Sequence, residues 1–193
     1  MSNENKWNKR YESLKKDNPE IYGSEESYAL ASKFLSDCSN IEDRACGSGG
    51  FMKYRPDAIG IDGSITPFAK VKADLQEYVS DVEAIHLRHC LEHDHHWEQI
   101  LENCIVSAYY KICITFFVVP TDEPTRVIAQ GNAVGVDDSI PTIHINRQEF
   151  LNVLYSFPKI RLIETKVIPG SCYGQEELWF ITMVNTGTCG GKK

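Results

Sequence analysis

Apolar residues recur along this chain first with a helical period and then in short runs broken by turns. Residues 6–16 place Trp7, Tyr11 and Leu14 at i, i+4 and i+7, one face of a helix. Ser24 stands where a second helix needs an N-cap, with Ser27 where a capping box prefers Glu, and Tyr28, Leu30, Ala31, Phe34 and Leu35 follow. Short strands are predicted next at 41–45, 58–61, 71–73 and 82–87. The helical period returns over 95–109, with Trp97, Ile100, Leu101, Cys104 and Ile105 on one face. Residues 111–119 (KICITFFVV) are almost all apolar, β-branched or aromatic, the pattern of a strand buried on both faces of a parallel sheet. Residues 120–145 show no strong period, and a connection of that length predicts a lid or substrate loop. Asn146 then caps a helix carrying Phe150, Leu151, Val153 and Leu154, and two strands, 160–168 and 177–184, close the pattern. This alternation predicts an α/β fold: a Rossmann-like, doubly wound, mostly parallel sheet with an antiparallel C-terminal edge strand. It implies one domain over 1–186, opened by helices in 1–36, and a disordered tail at 187–193.

Composition narrows the partners. Of 193 residues, 42% are hydrophobic and 24% charged, which is ordinary for a globular domain of this size. No apolar run reaches the roughly 20 residues of a membrane-spanning helix, so no membrane partner is expected. The polar N-terminal stretch has no apolar signal core. Seven scattered cysteines with no C-x-x-C pair fit a reduced, cytoplasmic setting, with Cys104 and Cys113 in segments that read as buried. A net charge of −7 argues against a nucleic-acid partner. The basic residues Lys6, Lys9, Arg10, Lys15 and Lys16 are interrupted by Glu4, Glu12 and Asp17 and read as a solvated helix face. Nothing in the pattern bears on oligomeric state.

The chemistry concentrates at Ile41-Glu42-Asp43-Arg44-Ala45-Cys46-Gly47-Ser48-Gly49-Gly50-Phe51, where a strand runs into a tight glycine turn. Glycines let the main chain come close to a ligand and take positive φ. About 20 residues on, Asp62 ends the next strand, where an acidic side chain accepts hydrogen bonds from the ribose hydroxyls of an adenosine ligand. As a nicotinamide fingerprint, G-x-G-x-x-G falls on Ala45, Gly47 and Gly50 and lacks its first glycine. The other reading is an acidic residue followed by small residues at alternate positions, Asp43, Ala45, Gly47 and Gly49. Asp43 suits the ammonium of a methionine moiety and would repel a pyrophosphate, the chain has no room for a dehydrogenase's second domain, and Asp74 adds an acidic group after the third strand.

In these stretches the chain resembles the class I S-adenosylmethionine-dependent methyltransferases, in particular a small group similar to type 11. The likeness is carried by 42–51, 59–64 (IGIDGS), 72–75 (KADL) and 84–93 (AIHLRHCLEH), by the helix and strand that follow, and by Trp7-Asn8-Lys9-Arg10-Tyr11. The resemblance implies S-adenosylmethionine as cofactor and a single methyltransferase domain. It implies Asp43, Ala45, Cys46, Gly47 and Gly49 around the methionine part, Asp62, Gly63 and Ser64 at the ribose, and Asp74 with Leu75 at the adenine. Arg88 and His89 would follow the fourth strand and close over the cofactor. Two residues depart from the pattern: Ala45 replaces a glycine, and Arg44 places a large charge beside it. Only 11 residues separate Asp62 from Asp74, so a crossover helix must shrink to about a turn.

His86, His89, His93, His95 and His96 cluster in eleven residues. His89 and His93 are candidate acid–base residues, since methyl transfer to O or N releases a proton and imidazole titrates in the right range; His95 and His96 read as solvent-facing. The expected function is methyl transfer to an O or N atom of a small polar molecule such as a sugar or other metabolite, and Tyr11, Tyr22, Tyr28 and the 120–145 connection, with Asp122, Arg126, Asp137, Asp138 and His144, could reach that acceptor. Two other functions stand beside it: a non-catalytic methyltransferase-like module, and a zinc hydrolase using His89, Glu92 and His93, the H-x-x-E-H pattern. No metal site is otherwise indicated.

Overall fold

The computed structural model describes residues 7–8, 11–15, 18–130, 140–172 and 174–184. Nine strands and three helices are described: β1 (Ile41–Arg44), β2 (Ile59–Asp62), β3 (Val71–Lys72), β4 (Val82–Arg88), β5 (Ala108–Phe116), β6 (Arg126–Gln130), β7 (Pro141–His144), β8 (Ile160–Ser171) and β9 (Gly174–Met183), with α1 (Glu25–Phe34), α2 (Trp97–Ser107) and α3 (Arg147–Tyr155). Seven strands form one sheet in the order β3-β2-β1-β4-β5-β9-β8. Pairs from β3 through β5 are parallel, and β9 runs antiparallel to both β5 and β8. The antiparallel strand expected at the C-terminal edge is therefore present, inserted one place in, with β8 outermost.

Both faces of the sheet are covered, as strands apolar on both sides require. On one face α2 and α3 pack Trp97, Leu101, Cys104, Ile105, Phe150 and Leu154 against Ile85, Leu87, Ile112 and Ile114. On the other, α1 brings Tyr28, Ala31 and Leu35 onto Ile41, Ala84, Cys113 and Leu178. Cys104 and Cys113 are fully buried, as their surroundings in the sequence imply. Asn146 caps α3, its side chain accepting the Glu149 N–H. Ser24 precedes α1 without a side-chain cap; the Ser27 hydroxyl instead donates to the Ser24 carbonyl.

The early crossovers are trimmed. A 3-10 turn (Gly50–Lys53) is the helical element between β1 and β2, and no helix joins β2 to β3 or β3 to β4. Several boundaries differ from the sequence pattern, those of β5, β8 and β9 among them. The helix expected over 95–109 stops at Ser107, because Ala108, Tyr109 and Tyr110 already belong to β5. The connection at 120–145, without a strong period and expected as a lid or substrate loop, contains an antiparallel ribbon of β6 and β7. Its strands escaped notice because β6 is exposed along most of its length and so carries no burial alternation. Of the helix expected over 6–16, Trp7, Asn8 and Tyr11 are helical and Glu12 and Ser13 form a turn. Residues 1–6, 9–10 and 16–17, which hold most of the basic cluster, lie outside the described residues, as do Asp137, Asp138 and the expected tail at 187–193. Among the described residues no helix is long and apolar enough to cross a membrane.

Candidate functional site

The carboxyl ends of β1, β2, β4 and β5 converge on one edge of the sheet, the place where open α/β sheets bind ligands. The chain leaves β1 through three left-handed residues: Ala45 at φ 55°, Gly47 at φ 49° and Gly49 at φ 73°. Two are glycines, which adopt this region freely; Ala45 does so against the contact of its Cβ with the backbone. The Cys46 N–H bonds to the Ile61 carbonyl and the Gly49 N–H to the Cys46 carbonyl, so the loop is locked to β2 and holds Ala45 in place. Ala45→Gly should stabilise the fold by about 1 kcal/mol, read as a raised unfolding midpoint in urea; an unchanged or lowered midpoint would show that Ala45 bears no strain.

Asp62 is the hinge of this loop. Its Oδ2 accepts the Gly47 N–H at 2.9 Å and its Oδ1 the Ser64 N–H at 2.8 Å. Burial pushes its carboxyl pKa up, against the pull of those two N–H groups. Each carboxylate oxygen has a second lone-pair direction, so the same side chain can also accept a hydroxyl. The Thr66 hydroxyl donates to the Gly47 carbonyl and finishes the cradle. A Cβ on Gly63 would meet only the Ala73 carbonyl, at 3.5 Å, leaving this side open. Asp74 follows β3, exposed, with Oδ1 on the Gln76 N–H, while the Leu75 side chain is buried in the core.

Alternation along β1 separates two charges that adjoin in sequence. Asp43 turns to the α1 face and accepts from His86 Nδ1 at 2.7 Å; the imidazole stacks on Phe51 with ring centres 3.9 Å apart. Arg44 turns to the opposite face, fully buried, where it bonds Glu42 and Ser80 and lies 4.9 Å over the Tyr78 ring. Arg44 therefore stands beneath the sheet, away from the cradle. Cys46 is buried, and burial raises its thiol pKa.

At the end of β4, Arg88 and the next residue, His89, face the start of β9. Arg88 donates to Glu176 Oε1 at 2.8 Å, to the Ser27 hydroxyl at 2.6 Å and to the Tyr22 carbonyl at 2.8 Å, and it covers the Tyr28 ring. It thus ties the segment before α1 to the sheet. Tyr28, with its hydroxyl on the Tyr22 carbonyl, belongs to that buried joint. His89 sits at φ 47°, 3.6 Å from Glu176 through Nε2, with its side chain only 9% exposed. Burial holds the pKa of both His89 and His93 below the ordinary imidazole value, so both are neutral bases at pH 7. His93 Nδ1 bonds the Pro141 carbonyl at 3.0 Å and so fastens β7 to the site. His95 and His96 face solvent.

His89 lies in a bend after β4, whereas Glu92 and His93 occupy a 3-10 turn (Leu91–His93). The inverted zinc motif needs both histidines on one helical turn, and this backbone does not provide it. Among the described residues no group of three or more His, Cys, Asp or Glu is placed to hold a metal ion. The Glu92 carboxylate instead accepts the Phe117 N–H at 2.8 Å at the end of β5, and burial pushes its pKa up to about 7. Because its folded value lies above its unfolded one, the folded state holds the proton more firmly, and stability falls as pH rises from about 4.5 to 7. Glu92→Gln removes this loss. From pH 5 to pH 8 the wild type should fall behind the variant by up to about 3 kcal/mol in urea unfolding, and parallel pH profiles would contradict the assignment.

Glu176 and Phe117 were not foreseen. Glu176 lies 88 residues from Arg88, and its only sequence signal is a pair of carboxylates, Glu176-Glu177, leading into the apolar LWFITM.

No family model and no curated protein matches this sequence. Its likenesses are to solved structures. The 1,6-didemethyltoxoflavin-N1-methyltransferase of Burkholderia thailandensis, with 1,6-didemethyltoxoflavin and S-adenosylhomocysteine bound, is 13% identical, with a TM-score of 0.59 over 83% of this chain and 77% of that one. The magnesium protoporphyrin IX methyltransferase of Synechocystis, with SAH bound, is 9% identical, with a TM-score of 0.57 over 82% of each chain. The N-terminal domain of EvdMO1, in the presence of SAH and D-fucose, is 8% identical, with a TM-score of 0.55 over 82% of each chain. The fold is that of the class I S-adenosylmethionine-dependent methyltransferases.

Proposed function

We propose that this chain, folded as those methyltransferases are, binds S-adenosylmethionine at loop 45–50 and moves its methyl group to an O or N atom of a small-molecule acceptor. One observation carries the reading. Asp43 and Asp62 stand in the last two residues of β1 and β2 and Asp74 just past β3, three adjacent strands, around a loop that turns left-handed three times. That is a set of acceptors for an ammonium, a ribose and an adenine amino group along a close-approaching backbone.

The roles follow from position. Asp43, anchored by His86, would face the ammonium, with Ala45, Cys46, Gly47 and Gly49 as the backbone cradle. Asp62, Gly63 and Ser64 would hold the ribose, and Asp74 and Leu75 the adenine. The cofactor supplies an electrophilic methyl group and leaves as S-adenosylhomocysteine. Catalysis is then chiefly positioning of the acceptor, with a neutral imidazole, His89 or His93, able to take its proton. Arg88 acts here by holding the segment at Tyr22–Ser27 against β4. The β6–β7 ribbon, tied to His93 through Pro141, forms the acceptor side of the site, and its reach accords with a lid or substrate loop at 120–145. Cysteine burial fits a reducing cytoplasm.

Saturating S-adenosylhomocysteine should raise the unfolding temperature by roughly 5–10 °C. Asp43→Asn keeps a hydrogen bond for His86 while removing the charge, and it should lose most of that shift. An equal shift in wild type and variant would sink the Asp43 assignment. Cofactor binding without methyl transfer to any acceptor would favour the non-catalytic module, for which the strained Ala45 is the motivating feature.

A further inference from the structure

We infer that the acceptor is a planar aromatic or heteroaromatic molecule presenting an O–H or ring N–H, not a sugar; the inference rests on the methyltransferase reading above. Six rings form a continuous chain along the acceptor side of the site. Tyr11 stacks with Trp7 at 5.9 Å, Trp7 meets His93 at 5.6 Å, His93 meets Phe117 at 5.3 Å, Phe117 meets His89 at 5.1 Å, and His89 meets Tyr22 at 6.4 Å. The chain starts over the cradle, since a Cβ on Gly47 would come within 2.9 Å of the Tyr11 hydroxyl. It ends where the segment before α1 meets β4. Rings in this arrangement offer faces and edges to another ring, which stacks or meets them edge-on.

The charged groups of the same end mostly hold one another or the backbone, and three of their atoms without a hydrogen bond, Arg88 Nε, Glu92 Oε2 and Glu176 Oε2, are buried. Arg88 is bonded to Glu176, Ser27 and Tyr22. Glu177 is held bidentately by Arg147 and also accepts from Trp179. Asp94 is engaged by Gln76 and the His96 N–H, and Glu92 by the Phe117 N–H. A sugar offers hydroxyls all round its ring and would need several of these groups released. The hydrogen bond from His93 Nδ1 to the Pro141 carbonyl makes Nδ1 the donor, so in the neutral ring Nε2 keeps a lone pair. Such a nitrogen can accept but not donate, and its partner must bring the proton. A phenolic O–H or a heteroaromatic N–H meets both demands: a flat apolar body for the rings and one donor for the imidazole.

Titration calorimetry in saturating S-adenosylhomocysteine tests this with caffeic acid, hydroxyquinoline and D-glucose as probes. At least one aromatic probe should bind with Kd on the order of 10–100 μM, and D-glucose should give no binding at about 10 mM. Phe117→Ala should weaken the aromatic probe about tenfold or more, and Phe117→Leu, which keeps an apolar side chain and removes the ring, should also weaken it. Retained S-adenosylhomocysteine binding shows that each variant is folded. Binding of D-glucose but of neither aromatic overturns the inference. So does the failure of all three probes on a cofactor-loaded protein, or unchanged aromatic affinity in both variants. Failure of S-adenosylhomocysteine itself to bind the wild type is a different result and overturns the methyltransferase reading.

Discussion

Asp62→Ala is expected to weaken S-adenosylhomocysteine binding by at least about 100-fold, because two charge-assisted hydrogen bonds to the ribose would be lost together. The same change strips the Gly47 and Ser64 N–H groups of their acceptor. Losing those buried bonds should cost about 3 kcal/mol of stability, lowering the unfolding temperature by roughly 6–12 °C. Calorimetry well below the variant's midpoint separates the two effects. Near-normal affinity in a folded variant would move the ribose away from Asp62. Normal stability would show that the cradle does not depend on this carboxylate.

Glu176→Ala should have the larger effect on the fold. Glu176 is fully buried, accepts from Arg88 and from the Ser24 N–H, and lies 3.6 Å from His89. Removing it leaves the Arg88 guanidinium as a buried charge without its carboxylate, a change that costs about 3–5 kcal/mol in comparable pairs. Local opening should concentrate at Tyr22–Ser27, which Arg88 and Glu176 hold. Hydrogen exchange of the amides before and within α1 would report it as faster exchange, while those of β4 and β5 track global unfolding. Equal stability in variant and wild type, or unaltered exchange at Ser24, would show that the joint is not built on this pair.

The sheet was legible because its central strands are buried on both faces and so read as unbroken apolar runs, as Ile112, Cys113 and Ile114 show. The cradle was legible because close approach and left-handed turns restrict residue type, and even its exception, Ala45, stands out against two glycines. Arg44 stands next to Asp43 in sequence yet faces the opposite layer, as strand alternation requires. What stayed hidden is long-range or solvated. The partnership of Arg88 with Glu176 leaves no local pattern, and neither does the contact of Trp7 with His93. The β6–β7 ribbon lies mostly in solvent, where Val127 and Ile128 are exposed and no alternation marks a strand.

The turn after β1, with Asp43, Asp62 and Asp74, is proposed to hold S-adenosylmethionine. Titration calorimetry of the wild-type protein with S-adenosylhomocysteine tests it most directly. One site per chain with Kd on the order of 1–100 μM is the predicted result, and absence of binding heat at about 1 mM ligand across two temperatures would contradict it.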